Sequence, residues 1–221
     1  MADPASDPGI PGPEGVPHEQ FHEVYRVGRA AWCIGRAQPV VMACLDEGWF
    51  DEGPVLDAGC GTGENTAAIA TARPQLEMLG IDAVPEALDR ATEVATKAGV
   101  ADRVSFETVD LRHRLPRGPF PWILDAGVLH VFSDDDRRSY LDRIASSLRP
   151  GGSFVTIVFR DEETRPRGPR RLSRPELESL LVASGLRVQS IEPCRYLSVA
   201  HEGGALAWLA RATRPADESS G

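Results

Sequence analysis

The sequence predicts an α/β fold: a doubly wound, mostly parallel sheet with helices on both faces. Two observations predict it. Short apolar runs alternate with stretches of helical spacing from residue 54 to residue 185, the pattern of repeated βαβ units. The first apolar run ends in a glycine-rich turn, Asp57-Ala58-Gly59-Cys60-Gly61-Thr62-Gly63, that leads directly into a helix.

Each element carries its own signal. Residues 54–59 form an apolar strand-like run closed by glycine, and 64–73 place Ala67, Ala68, Ile69 and Ala72 at helical spacing. Residues 76–82 read as the second strand, 85–98 as a helix, 104–110 as an alternating strand and 121–127 as a further apolar run. The helix over 134–148 sets Tyr140, Leu141, Ile144, Ala145 and Leu148 on one side. Ser133 is its N-cap, Asp134, Asp135 and Asp136 suit the positive end of its dipole, and Pro150-Gly151-Gly152 stops it. Residues 153–159 are strand-like, and 174–184 form a helix capped by Ser173 and ended by Gly185. The last two strands, 187–193 and 206–212, have no helix between them and are expected as an antiparallel hairpin at the sheet edge. Residues 18–50, with Phe21, Val24, Tyr25, Trp32, Val41, Leu45 and Trp49, predict one or two helices over the domain. The Pro- and Gly-rich stretch 1–17 and residues 215–221 predict disordered tails.

Composition narrows the function. A chain of 221 residues with 42% hydrophobic and 26% charged residues supports one domain with a buried core. The balance of 24 basic and 33 acidic residues gives a net charge of −9, which repels phosphates and argues against a nucleic-acid partner. No apolar run approaches the roughly 20 residues of a membrane span, and the N-terminus lacks the apolar stretch of a secretory signal. The four cysteines, Cys33, Cys44, Cys60 and Cys194, contain no CxxC pair and fit reduced thiols. The expectation is a cytoplasmic monomer or homodimer without a membrane partner. No metal is expected, because no cluster brings several ligands together.

The chemistry-bearing residues stand at strand ends. Gly59, Gly61 and Gly63 remove side chains where the backbone turns and meets a ligand. The helix that follows points free amides at that ligand. The spacing is GxGxG, with Glu64 where a dinucleotide fingerprint has its third glycine. An acid beside a pyrophosphate is repulsive, so the turn suits a nucleoside without a diphosphate. Asp82 ends the second strand, either to accept both hydroxyls of a ribose or to cap the helix that starts at Pro85. Asp110 ends the third, either as an acceptor for an adenine amino group or as an ordinary turn aspartate.

Five motifs in order resemble the class I S-adenosylmethionine-dependent methyltransferases over residues 18–214. They are residues 55–63, Gly80-Ile81-Asp82, Thr108-Val109-Asp110, Ile123-Leu124-Asp125-Ala126-Gly127 and Leu148-Arg149-Pro150-Gly151-Gly152. The resemblance implies a Rossmann-like methyltransferase fold of seven strands, the last antiparallel, over residues 51–214. It implies S-adenosyl-L-methionine as cofactor. Contacts to it would come from Asp57, Gly59, Cys60, Gly61, Gly63 and Asn65, from Asp82 and Ala83 at the ribose, from Asp110 and Leu111 at the adenine, and from Asp125, Ala126 and Gly127 beside the transferable methyl.

A narrower stretch, Trp32-Cys33-Ile34-Gly35-Arg36-Ala37-Gln38-Pro39, resembles the tryptophan-glycine-proline lid segment of the thiopurine and thiol/halide methyltransferases, with Cys33 where that branch has aspartate. It implies a helical lid over 18–50, with Trp32 covering the cofactor and Tyr25, Ile34 and Arg36 shaping an acceptor pocket. An aromatic face suits a sulfonium cation; an ordinary core role for Trp32 is the alternative.

His130, a few residues past the fourth strand, is a candidate general base, with Asp125 the second catalytic candidate. His130 as a pocket-lining residue, or as a half-buried histidine bonded to backbone, are the alternatives. Arg160 opens a loop rich in arginine (Arg165, Arg167, Arg170, Arg171, Arg174) that either steers an anionic acceptor or is a solvated loop offset by Asp161, Glu162 and Glu163. His22, His113, Tyr196 and His201 are lesser candidates. The function implied is methyl transfer to a small-molecule nucleophile, a thiol first and a phenolic oxygen or ring nitrogen second, in natural-product tailoring or detoxification. The rival readings are a nucleotide-dependent oxidoreductase, which the GxGxG spacing opposes, and a noncatalytic protein that binds S-adenosylmethionine.

Overall fold

The structure, a computed structural model, describes residues 14–165 and 168–216. Two helices lead, α1 (His18–Arg26) and α2 (Pro39–Asp46). The alternating part follows as β1 (Val55–Ala58), α3 (Glu64–Ala72), β2 (Met78–Asp82), α4 (Pro85–Lys97), β3 (Val104–Thr108), β4 (Phe120–Ala126), α5 (Asp134–Ser147), β5 (Leu148–Phe159) and α6 (Arg174–Ala183). The chain closes with β6 (Arg187–Ser198) and β7 (His201–Thr213), and a short 3-10 turn, Leu129–Val131, joins β4 to α5. Seven strands form one sheet in the order β3-β2-β1-β4-β5-β7-β6. Strands β1 to β5 are mutually parallel, and β7 runs antiparallel to both β5 and β6. Chain order reverses between β1 and β4, which opens the crevice where open α/β sheets bind ligands.

The sheet is buried on both sides, as parallel sheets must be. One face carries Leu56, Ile81, Ile123 and Phe154 against Leu141, Ile144, Leu177 and Leu181 of α5 and α6. The other carries Val55, Met78, Leu124 and Val155 against Val41, Leu45 and Ile69 of α2 and α3. Among the described residues no helix is long and apolar enough to cross a membrane.

Four expectations change. The terminal hairpin is not wholly an edge: β7 lies inside the sheet, its Ala205, Ala207, Ala210 and Ala212 all at 1% exposure or less, and β6 is the edge. Both strands run longer than their apolar patterns, because Pro193 and Gly203-Gly204 interrupt those patterns without ending the ladder. Strand β5 already begins at Leu148 and runs through Pro150-Gly151-Gly152. Finally, residues 14–17 belong to the fold rather than to a tail. Gly15 is buried against the backbone of residues 131–133, and the Val16 N–H donates to the Val131 carbonyl at 2.8 Å. Residues 1–13 and 217–221 of the expected tails lie outside the described residues.

Helix α5 begins as its sequence predicts: the Ser133 hydroxyl accepts from the Asp136 N–H at 3.1 Å. Its first turn also anchors the arginine-rich loop. Asp134 accepts from Arg137 of the same helix and from Arg170 of the loop, and Glu176 of α6 lies 3.7 Å and 3.8 Å from the same two guanidiniums. Arg137 is only 2% exposed, so it depends on these carboxylates for compensation. Removing a buried charge's partner costs more than removing the charge. Asp134→Ala should therefore destabilise the fold by roughly 2–3 kcal/mol, below the usual range of about 3–5 kcal/mol because Glu176 remains. That is a fall of roughly 4–12 °C in Tm. Arg137→Met should cost less, and a calorimetric ranking in the opposite order would remove Asp134 as the anchor.

Candidate active site

One cavity lies across the carboxyl ends of the strands, and its wall follows the strand order. At one end stand Gly59 after β1, Asp82, Ala83 and Val84 after β2, and Asp110, Leu111 and Arg112 after β3. Ala126, Gly127, Val128, His130, Val131 and Phe132, after β4, form its middle. The other end is built from Phe159, Gly168, Pro169, Tyr196, Ser198, Ala200 and His201. Val16, His18, Phe21, Tyr25, Ala31 and Trp32 cover it from the N-terminal segment.

The glycine turn is tied to the end of β2. The Gly59 and Cys60 N–H groups both donate to the Ile81 carbonyl, at 2.7 and 2.9 Å. Asp82 accepts from the Gly61 N–H with one oxygen and from the Val84 N–H with the other, both at 3.0 Å. Burial raises the Asp82 pKa, against the pull of those backbone donors. The backbone of Ala83 also contributes a hydrogen bond, yet three donors leave one of about four lone pairs open, and Asp82 is on the cavity wall, so it can still accept from a ligand hydroxyl. It does not cap α4, whose N-cap is Val84 without a side-chain bond. Gly61 has φ +54°, and a Cβ there would stand 2.7 Å from the Tyr25 hydroxyl, so only glycine fits beneath that ring.

Asp110 is committed differently. Both its oxygens accept from the Arg112 guanidinium, at 2.6–3.2 Å, and this pair holds its pKa down to about 2. His18 lines the cavity as well, and its Nε2 is buried without a hydrogen-bond partner. His18 and His22, with Glu19 beside the first, stand at the spacing of a zinc-binding helix, a pattern the sequence reading passed over. Their rings meet edge to face at 4.9 Å, His22 faces Glu86 at 3.6 Å, and among the described residues no three His, Cys, Asp or Glu side chains are grouped to hold a metal ion.

The lid aromatics interlock. The Trp32 indole N–H donates to the Tyr25 hydroxyl at 2.7 Å, and Phe21 packs on the same indole at 5.9 Å. Tyr25 is buried over the glycine turn, which raises its pKa well above normal.

The segment after β4 is organised by Asp125. This carboxylate is fully buried and accepts the N–H groups of Gly127, Val128 and Leu129 and the Tyr140 hydroxyl, at 2.7–3.1 Å. Burial still raises its pKa to about 6. Asp125 thus shapes the wall from behind and does not reach the cavity as a catalytic group. His130 follows in the turn it shapes. The Phe159 N–H donates to His130 Nδ1 at 2.9 Å, so in the neutral ring the proton sits on Nε2, beside Gly127. Burial drives the His130 pKa down to about 3. The Phe159 N–H takes the Nδ1 lone pair and the Gly127 backbone bonds the ring as well, so His130 is held by backbone on both sides.

Several other expected contacts also stand off the wall. Asp57 is buried behind the turn, takes the Thr66 hydroxyl at 2.6 Å, and has its pKa pushed up to about 7 by burial. Cys60 packs against Gly80, Gly63 against Ala91 of α4, and the Asn65 side chain accepts from the Gln38 N–H at 2.9 Å. Ile34 and Arg36 lie on the lid but not on the cavity, with Arg36 exposed. Arg160 pairs with Glu162 at 3.1 Å and lies over the Trp208 ring at 5.2 Å, so its charge is used outside the cavity. His113 points to solvent beside Asp110. The sequence reading missed Val16, His18, Phe21, Phe132, Phe159 and Ser198 as wall residues, because nothing in their local pattern separates wall from core.

The wall suits S-adenosylmethionine. A carboxylate with a spare lone pair, a side-chain-free turn, an unpartnered buried imidazole nitrogen and aromatic faces offer what a ribose, a methionine and a sulfonium require. The comparisons agree. A family model for a methyltransferase domain matches residues 55–152. A 2-heptyl-1-hydroxyquinolin-4(1H)-one methyltransferase of Mycobacteroides abscessus is 31% identical over 187 residues, 80% of each chain. A probable thiol methyltransferase of Arabidopsis thaliana is 28% identical over 171 residues, 77% of this chain and 75% of that one. The crystal structure of a Burkholderia thailandensis 1,6-didemethyltoxoflavin-N1-methyltransferase, with S-adenosylhomocysteine bound, superposes with a TM-score of 0.71 at 25% identity over 94% of both chains. The chain belongs to the class I S-adenosylmethionine-dependent methyltransferases, and S-adenosylmethionine is its cofactor.

Proposed function

We propose that this enzyme methylates a small, largely apolar molecule on a nucleophile that ionises by itself near neutral pH, a thiol first and a comparably acidic hydroxyl or ring nitrogen second. The observation that carries this reading is the state of His130. It lies in the middle of the cavity wall as a neutral ring, with Nδ1 occupied by the Phe159 N–H and the Gly127 backbone bonded to the ring. It has no free lone pair with which to take a proton from the acceptor. The aromatic faces of Phe132, Phe159 and Tyr196 favour a planar or apolar body for the acceptor. The relatives named for a thiol and for an N-hydroxyquinolone support the same class, since both kinds of acceptor lose a proton readily.

Bound S-adenosylmethionine supplies a methyl group already activated by a sulfonium. The protein's own work is then placement and exclusion of water. Asp82 and the glycine turn hold the nucleoside end, Tyr25 and Trp32 close over it, and the turn after β4 presents His130 between the two halves of the cavity.

Two tests follow from these roles. Asp82→Ala removes a charge-assisted acceptor and Gly61→Val places a branched side chain against Tyr25. Each should weaken S-adenosylmethionine binding, Asp82→Ala by roughly 10- to 150-fold, the equivalent of about 1.5–3 kcal/mol. Unchanged calorimetric affinity in both variants would remove this end of the cavity as the cofactor site.

His130→Ala should lower kcat toward thiols by less than about 10-fold, against the roughly 10²- to 10⁴-fold expected for loss of a general base. The wild-type rate should follow the ionisation of each thiol, with no limb near the ordinary histidine pKa of about 6.5. A 10²-fold loss at constant cofactor affinity would restore the base assignment. The same residue affects stability with a definite sign. Below about pH 6.5 the unfolded chain protonates this histidine while the fold, with a pKa of about 3, does not. Stability is therefore lost as pH falls from about 6.5 toward 3. The buried Asp57 and Asp125 contribute the opposite slope between about pH 4 and 7, so the comparison must be between wild type and His130→Asn. The variant's urea midpoint should fall less steeply over the acid range.

A further inference from the structure

Gln38 precedes α2 and is 3% exposed, yet its side chain does not cap that helix. It reaches across to β6. The Gln38 side-chain N–H donates to the Leu197 carbonyl at 2.9 Å, and the Leu197 N–H donates to the Gln38 side-chain carbonyl at 2.8 Å. Leu197 is where the β6–β7 ladder slips: Tyr196 pairs with Ala205, Ser198 with His201, and Leu197 is passed over. The irregularity sets one residue of β6, Leu197, against three of β7, Glu202 to Gly204, and the Gln38 amide satisfies both backbone groups of Leu197 on this edge strand. The Gln38 backbone N–H meanwhile donates to the Asn65 side chain, in the first turn of α3 directly after the glycine turn.

Gln38 thus touches three structures at once: the end of the covering segment, the helix behind the glycine turn, and the stretch of β6 opposite the bulge of β7. The bulge is flanked by wall residues. Tyr196 donates its hydroxyl to the Ala126 carbonyl at 3.0 Å, and Ser198, Ala200 and His201 complete that end of the cavity. One further bond joins the hairpin tip to the lid, from the Val199 N–H to the Ala31 carbonyl at 2.9 Å, next to Trp32.

We infer that Gln38 is a positioning residue for methyl transfer: it fixes the acceptor wall on β6 relative to the cofactor turn without touching either reactant. The inference rests on the reading of the Phe159–His201 end as the acceptor side. Its energetic logic is geometric. A displacement of about 1 Å between reacting groups costs as much as 10²-fold in rate, while the wall at Gly59 and Asp82 is built elsewhere and persists.

The test compares Gln38→Met, which keeps the volume and loses both bonds, with Gln38→Glu, which keeps an acceptor for the Leu197 N–H. Three quantities are measured on the full chain: S-adenosylhomocysteine affinity by calorimetry, amide exchange at residues 196–199, and kcat and KM with thiophenol. Gln38→Met should speed exchange at Leu197 and lower kcat/KM by about 10- to 100-fold, with cofactor affinity within about 3-fold of wild type. Gln38→Glu should recover part of the loss. Faster exchange at Leu197 with unchanged kinetics would reduce Gln38 to a structural role, and a parallel fall in cofactor affinity would overturn the inference. If the Met variant does not fold, the Glu variant alone must show the kinetic loss at wild-type cofactor affinity. A wild-type enzyme inactive on thiophenol would count against the thiol reading instead; the comparison would then use a phenol or heterocycle that it methylates.

Discussion

A buried carboxylate with no cation beside it must be satisfied by neutral donors, and in this protein Asp125 meets that demand with three consecutive backbone N–H groups and a tyrosine hydroxyl. The requirement dictates the path of the chain after β4. Gly127, Val128 and Leu129 must curl round one side chain, which leaves His130 and Val131 in a 3-10 turn and Ser133 in place to cap α5. From that turn come the imidazole in the middle of the cavity wall, the carbonyl that receives Val16, and the start of the helix that anchors the arginine-rich loop. Asp125 thus governs the site more deeply from behind the wall than it would as a catalytic group on it.

The same economy appears at His130. Its Nδ1 completes the hydrogen bonding of Phe159 at the end of β5, so the ring ties two strand ends together. That structural duty leaves the Nδ1 lone pair committed to the fold, as the proposed reading of a self-ionising acceptor requires.

Much of the fold was legible because its signals are local and mutually consistent. Alternating apolar runs marked five parallel strands to within a few residues, and the Ser133 and Ser173 caps are made as read. The strand-end positions of Gly59, Asp82 and Asp110 also followed from the sequence, because a glycine-rich turn and acids at strand ends are short-range patterns. Most of what escaped was set by distant partners. The partner of His130 is the Phe159 N–H, and the ring under Arg160 is that of Trp208, both far along the chain; the Asp110–Arg112 pair is local, but acid and arginine two residues apart do not by themselves say that they bond each other. Val16 was hidden by composition: a Pro- and Gly-rich stretch reads as disorder, and only the exposed carbonyl of Val131 gives it a place to bind.

The cavity wall is also a map of inheritance. One end comes from the turns after β1, β2 and β3, while the other comes from the segment after β5 and from the β6–β7 hairpin, with the turn after β4 between them. On the proposed reading, a substitution at Ser198, Ala200 or Pro169 alters the shape offered to an acceptor while the wall at Gly59 and Asp82 stays as it is. Such a division lets one scaffold diversify its chemistry by drift at the hairpin and its neighbouring loop. For an engineer it marks those same few positions as the place to begin a library.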